Sequence, residues 1–226
     1  TYVLKWERHT EFTRYSIVQA LPSHANLGAL AGTEEPDLSS SLAVSADWLR
    51  SLPGYTIAAI QMAMVEADIT DTASILQQAQ NWFGGRAVLA SLLGLGHSCA
   101  VSELRIGDDG FERMLVISPP GTTESRSGRN SHRLLEMETY RLMALRGLPI
   151  AKELGSMLGE CEGALADITM QLDQKSASDQ SLLDSLVSLA ARVERATAAH
   201  GYRFSATRAY AALVAQRIAE LSEKEI

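Results

Sequence analysis

The chain has 226 residues, 46% apolar and 21% charged, enough for one large core or two small ones. Its formal net charge of -7, with no run of lysine or arginine, argues against nonspecific binding to nucleic acid or an anionic membrane face, because polyanions attract basic surfaces. Cys99 and Cys161, lacking CxxC spacing, read as buried reduced thiols rather than zinc ligands, and no apolar run reaches the ~18 residues of a membrane helix.

The first 118 residues read as an α+β layer. "YVLKW" (2–6) and "FTRYSIVQAL" (12–21) are aromatic and β-branched, hence strands, and the charged stretch between them is a hairpin turn. On that reading Trp6 and Phe12 anchor the core. Residues 22–38, with Pro22, Gly28, Gly32 and Pro36, read as a long irregular loop. "SADWLRSLP" (45–53) predicts a short helix capped by Ser45 and stopped by Pro53. "YTIAAIQMAMVE" (55–66) is apolar throughout and suits a strand or a helix; its β-branched start after Gly54 favours a strand.

"DTASILQQAQNWF" (71–83) predicts a helix capped by Asp71 and ended by Gly84-Gly85. Residues 86–94, 97–106 and 111–118 read as three further strands, the last two joined by "GDDG", whose Asp-Gly step tolerates the positive φ of a hairpin turn. Strict alternation over 101–106 puts Val101, Glu103 and Arg105 on one face and Ser102, Leu104 and Ile106 on the other. "PPGTTESRSGRNS" reads as a linker. The expected division is therefore a sheet domain at 1–120 and a helical bundle or stalk at 130–226.

From His132 the pattern is helical and nearly proline-free. A first helix runs to Gly147-Leu148-Pro149, where proline breaks it. Leu154, Met157, Cys161, Leu165, Ile168 and Leu172 then recur at three- and four-residue spacing. After "QKSASD", Leu182, Leu186, Leu189, Val193 and Ala196 keep the heptad rhythm. Gly201 offers a break, Ser205 a new cap, and Tyr210, Leu213, Val214, Ile218 and Leu221 continue the stripe. These stripes predict long antiparallel helices, packing either within one chain or between chains. The opening on Thr1 and the ending within the helical pattern of "ELSEKEI" read as a piece of something longer.

Two charged clusters are candidate sites. In "WERHTEF", Glu7, His9 and Glu11 share a face if the strand continues, as an acid/base pair or a divalent metal site would need. The plainer reading has Glu7, Arg8, Glu11 and Arg14 in cross-strand ion pairs, and a turn there scatters the three ligands. In "RLLEMETYR", Arg133 and Glu136 are three apart, as are Glu138 and Arg141, which suits ion pairs. Glu136 and Glu138, two apart, point about 200° from each other and cannot easily share one ion. No residue is assigned a catalytic, cofactor-binding or metal-binding role, and no cofactor is implied. "GLGHS" and "PPGTTESRSGR" lack the spacing and the lysine of phosphate-binding loops.

"LKWERHTEFTRY", "ELRIGDDGFERMLV", "RLLEMETYRLMALRGLPIAKEL" and "YRFSATRAYAALVAQRI" occur in one order along the chain. In these motifs the sequence resembles the uncharacterised bacterial membrane-anchored proteins of a domain-of-unknown-function family. The resemblance implies a cytosolic α+β head and helical stalk on the cytoplasmic side of the inner membrane, anchored by residues outside this chain. It supplies no catalytic residue. The plan is similar at fold level to magnesium-channel proteins, whose Gly-Met-Asn signature is absent here. The leading expectation is a module acting through homo-oligomerisation or a protein partner. A metal-dependent enzyme or regulator, or a soluble subunit of an ion-transport assembly, are the alternatives.

Overall fold

A computed structural model describes residues 2–21, 43–222 and 224–225, so the loop expected at 22–38 lies outside the described residues. In chain order the elements are β1 (Tyr2–Arg8), β2 (Thr13–Gln19), α1 (Ala46–Ser51), β3 (Ile60–Glu66), α2 (Thr72–Trp82), β4 (Leu89–Leu93), β5 (Ser98–Ile106), β6 (Glu112–Ser118), α3 (Glu124–Leu145), α4 (Leu148–Gln174), α5 (Asp179–Leu221) and β7 (Lys224–Glu225). The fold is α+β. It divides into two compact units, one of residues 1–135 with 217–226 and one of residues 136–216, so the boundary falls inside α3 and inside α5.

In the first unit β1 and β2 form an antiparallel hairpin, with Trp6 opposite Tyr15 and Glu7 opposite Arg14. The other strands form a second sheet, ordered β3-β6-β5-β4-β7. Among the described residues β3 and β6 pair in parallel and the other ladders of this sheet are antiparallel. Alternation along the pleat sends Ala63, Val65, Leu115, Ile117, Cys99 and Val101 to one face of this sheet. There they bury against Ile75, Ala79 and Trp82 of α2, with Phe83 just past its end. Helix α2 starts where Asp71 accepts the Ser74 N–H, and it ends at Gly84 and Gly85, both at positive φ.

The opposite face is lined by α3, whose Ser131 hydroxyl meets the Met64 sulfur. The last turn of α5 also returns to this unit: the Gly94 N–H donates to the Leu221 carbonyl, and Arg133 pairs with Glu220.

The structure corrects several expectations. Trp6 is 64% exposed rather than a core anchor. Its cross-strand neighbour Tyr15 takes the edge of Trp48 at 5.9 Å, while Tyr2, Leu4 and Trp6 of β1 stay exposed. The strand expected from Tyr55 begins only at Ile60. The supposed linker at 119–131 is helical from Glu124, because α3 borrows the sheet as its packing surface and buries Asn130 and Ser131. Alternation fails in β5, where Leu104 takes a φ of 46° and the register with β6 slips between Ser102 and Ile106, a bulge. Helix α5 runs through Gly201 without a break or a new cap at Ser205. Past α5, where more helix was expected, Lys224–Glu225 adds a short strand to the edge of β4.

The second unit is a helical hairpin. Gly147 keeps right-handed helical angles (φ -75°, ψ -19°), so α3 passes into α4 with only a two-residue interruption and Pro149 in the first turn, where proline is tolerated. Both α3 and α4 run antiparallel to α5. Tyr140 stacks on Tyr210, Thr207 reaches the Ala144 carbonyl, and Glu160 pairs with Arg192, a ladder in which one index rises as the other falls. At the tip, Lys175 in the left-handed region closes α4 by donating to the Gln171 and Leu172 carbonyls, and Ser178 caps α5 through the Ser181 N–H. Among the described residues, no helix is long and apolar enough to cross a membrane.

Candidate interaction surface

The opening cluster is a tight turn. The His9 N–H donates to the Phe12 carbonyl, and the imidazole stacks on the Phe12 ring at 4.2 Å. Glu7 is held by Lys5 at 2.7 Å and Arg14 at 3.2 Å. The Lys5 hydrogen bond lowers its pKa most, helped by the charges of Arg14, Lys5 and His132, against a desolvation that pushes the other way. Glu11 is half-buried in the turn and Arg8 is exposed at the end of β1. Among the described residues no three His, Cys, Asp or Glu side chains converge as a metal site would require.

The second cluster separates as the helix geometry dictates. The Glu138 side chain is buried and takes a forked pair from Arg141, Nε to Oε2 at 2.6 Å. Tyr140 donates to Glu136 at 3.4 Å, and Arg133 turns to Glu220. Each of these contacts stays within one compact unit.

One polar chain escaped the sequence reading. His97 Nδ1 lies 2.9 Å from the Ser98 hydroxyl, which lies 3.1 Å from that of Ser118. The two serines are neighbours only because β5 and β6 pair, so no local spacing announces them. Burial, then the nearby Arg126 cation, lowers the His97 pKa. Both hydroxyls are buried and bonded to each other, an internal polar pair that the half-buried His97 extends towards the surface. Cys99, also buried, has its thiol pushed up to about 11 by desolvation, which makes it inert rather than nucleophilic.

The surface that stands out lies on the hairpin. A two-helix arm can bury only one stripe of each helix, here Leu154, Met157, Cys161 and Ile168 of α4 against Leu182, Leu189 and Val193 of α5. Leu158, Leu165 and Leu172 form a second row on α4, drifting about 20° per step. Leu183, Leu186 and Val187 form another on α5. All six remain 40–60% exposed. Seen along one axis the two antiparallel helices rotate in opposite senses, so these rows end on the same side of the hairpin. The Glu160–Arg192 pair fixes the other side, a shallow trough with Asp167, Ser181, Ser185 and Ser188 on its walls. The hairpin thus has one apolar and one hydroxylic, charged flank. The heptad positions were legible in the sequence; which leucines lie inside was not, because both rows fit the same periodicity.

The fold and surface define an α+β protein carrying an amphipathic helical hairpin. The chain belongs to the family described as "Protein of unknown function (DUF3422)", whose family model matches residues 1–226. No curated protein and no solved structure matches it.

Proposed function

We propose that this chain is a self-association module that works by docking its helical hairpin rather than by covalent chemistry. The observation that carries the reading is the row of half-exposed leucines on α4 beside the Leu183–Val187 row on α5. Contiguous apolar surface of this kind marks interaction sites on proteins that work in water. The resemblance to membrane-anchored proteins supports placing the module on the cytoplasmic side of a bacterial inner membrane, held there by residues outside this chain. Two hairpins meeting flank to flank make a four-helix arrangement of the ordinary knobs-into-holes kind.

Sedimentation equilibrium tests this. Burying the exposed half of a leucine stabilises by about 1 kcal/mol, and a two-fold contact counts it twice, so Leu165→Lys weakens the dimer about 30-fold or more. Helicity by circular dichroism stays unchanged, because Leu165 is not part of the intrachain seam. A native chain that stays monomeric at high micromolar concentration overturns the proposal. So does a dimer indifferent to Leu165→Lys.

A further inference from the structure

Resting on that reading, we infer that the partner is a second copy of this chain lying antiparallel, the tip of each hairpin against the base of the other. The charge along the hairpin carries the inference. Between Gly159 and Val193, around the tip, six carboxylates (Glu160, Glu162, Asp167, Asp173, Asp179 and Asp184) stand against two cations, Lys175 and Arg192, a net -4. The remainder of the second unit, 136–158 and 194–216, holds six cations (Arg141, Arg146, Lys152, Arg195, Arg203 and Arg208) against four carboxylates, a net +2.

The helix boundaries place these two halves at opposite ends of one arm. Parallel docking stacks two -4 tips. Antiparallel docking about an axis near Leu158 sets each tip beside a +2 base; these are the net charges of whole halves, with Glu160, Asp167 and Arg192 on the flank away from the contact. Like charges across an interface are strongly disfavoured, and complementary ones set orientation more than affinity.

The orientation is read with one spin label at the tip, Ser176→Cys, in the whole chain with Cys99 and Cys161 replaced by alanine. Ser176 lies eighteen residues beyond Leu158, about 27 Å at 1.5 Å per residue, so an antiparallel dimer separates the two labels by about 55 Å. A parallel dimer, with helices at ordinary packing distances, brings them within about 25 Å. Dipolar electron resonance separates the two distances cleanly.

The expected result is a dimer with the long distance, whose affinity falls as sodium chloride is raised and falls about tenfold in Glu162→Lys/Asp173→Lys. A dimer with the short distance, or one tightened by salt or by the charge reversal, overturns the orientation and leaves self-association standing. A chain that sediments as a monomer overturns both. A dimer that forms equally well without residues 136–216 contributing, shown by indifference to Leu165→Lys and to the charge reversal together, places the contact elsewhere and also overturns both.

Discussion

Gly147→Ala isolates the joint that lets α3 and α4 act as one arm. A Cβ built on Gly147 falls 2.6 Å from the Thr207 hydroxyl oxygen, 3.4 Å from Thr207 Cγ2 and 3.5 Å from the Ala144 carbonyl oxygen. The φ of -75° is open to any residue, so the effect is one of packing and not of backbone strain. Thr207 is short and β-branched. It can make room only by turning its hydroxyl away from the Ala144 carbonyl, a hydrogen bond of 3.3 Å, or by pushing α5 outward.

Overpacking of this kind costs about 1–3 kcal/mol, offset by up to about 1 kcal/mol from the better helix propensity of alanine. The net expectation is a loss of about 1–2 kcal/mol in urea denaturation followed by the helical circular dichroism signal. Thr207→Ala by itself costs about 1 kcal/mol for the lost bond. In that background Gly147→Ala becomes neutral or stabilising, a coupling of about 1–2 kcal/mol in the cycle. Equal cost of Gly147→Ala with and without Thr207 refutes the reasoning. Gly155, Gly159 and Gly163 are the built-in control: among the described residues nothing beyond the helix's own backbone lies within 4 Å of the added Cβ, so Gly159→Ala raises stability by about 0.5–1 kcal/mol.

Three other outcomes follow from the same structure. Arg141→Ala strands the buried Glu138 carboxylate and is expected to cost about 2–3 kcal/mol. Glu138→Gln, which releases a half-exposed guanidinium to water, costs about 1 kcal/mol; urea melts giving the reverse order count against the pair. His97 in the folded chain holds its proton less tightly than an ordinary histidine of pKa about 6.5. At higher pH both states are neutral. As pH falls through about 6.5 the unfolded chain takes up the proton first, so stability declines towards the lower folded value. His97→Gln should flatten this decline between about pH 7 and 5, and an unchanged slope excludes His97 as its source. The thiols of Cys99 and Cys161 should resist alkylation at about pH 8 until urea opens the unit each occupies, and rapid labelling of Cys99 in the native chain contradicts its burial.

Local chemistry was enough to announce many elements. Asp71, Gly84-Gly85, "GDDG", Pro149 and "QKSASD" act through their own φ preferences and hydrogen bonds, so they set helix ends and turns wherever the chain goes. The α+β division and the heptad stripes likewise follow from periodicity, which needs no partner to be read. Tertiary structure decided what periodicity leaves degenerate. Linker-like residues 124–131 became helix because the sheet offers them a surface to cover, and Gly201 stayed helical because α5 is tied to the opposing arm on both sides of it, by Arg192 to Glu160 and by Thr207 to Ala144. Among the described residues Trp6 stands exposed while Tyr15 opposite it meets Trp48, a difference set by where α1 packs and not by hydrophobicity. In α4, Cys161 goes into the seam while Leu158, Leu165 and Leu172 keep to the flank; that choice depends on where α5 lies, which sequence spacing alone does not encode.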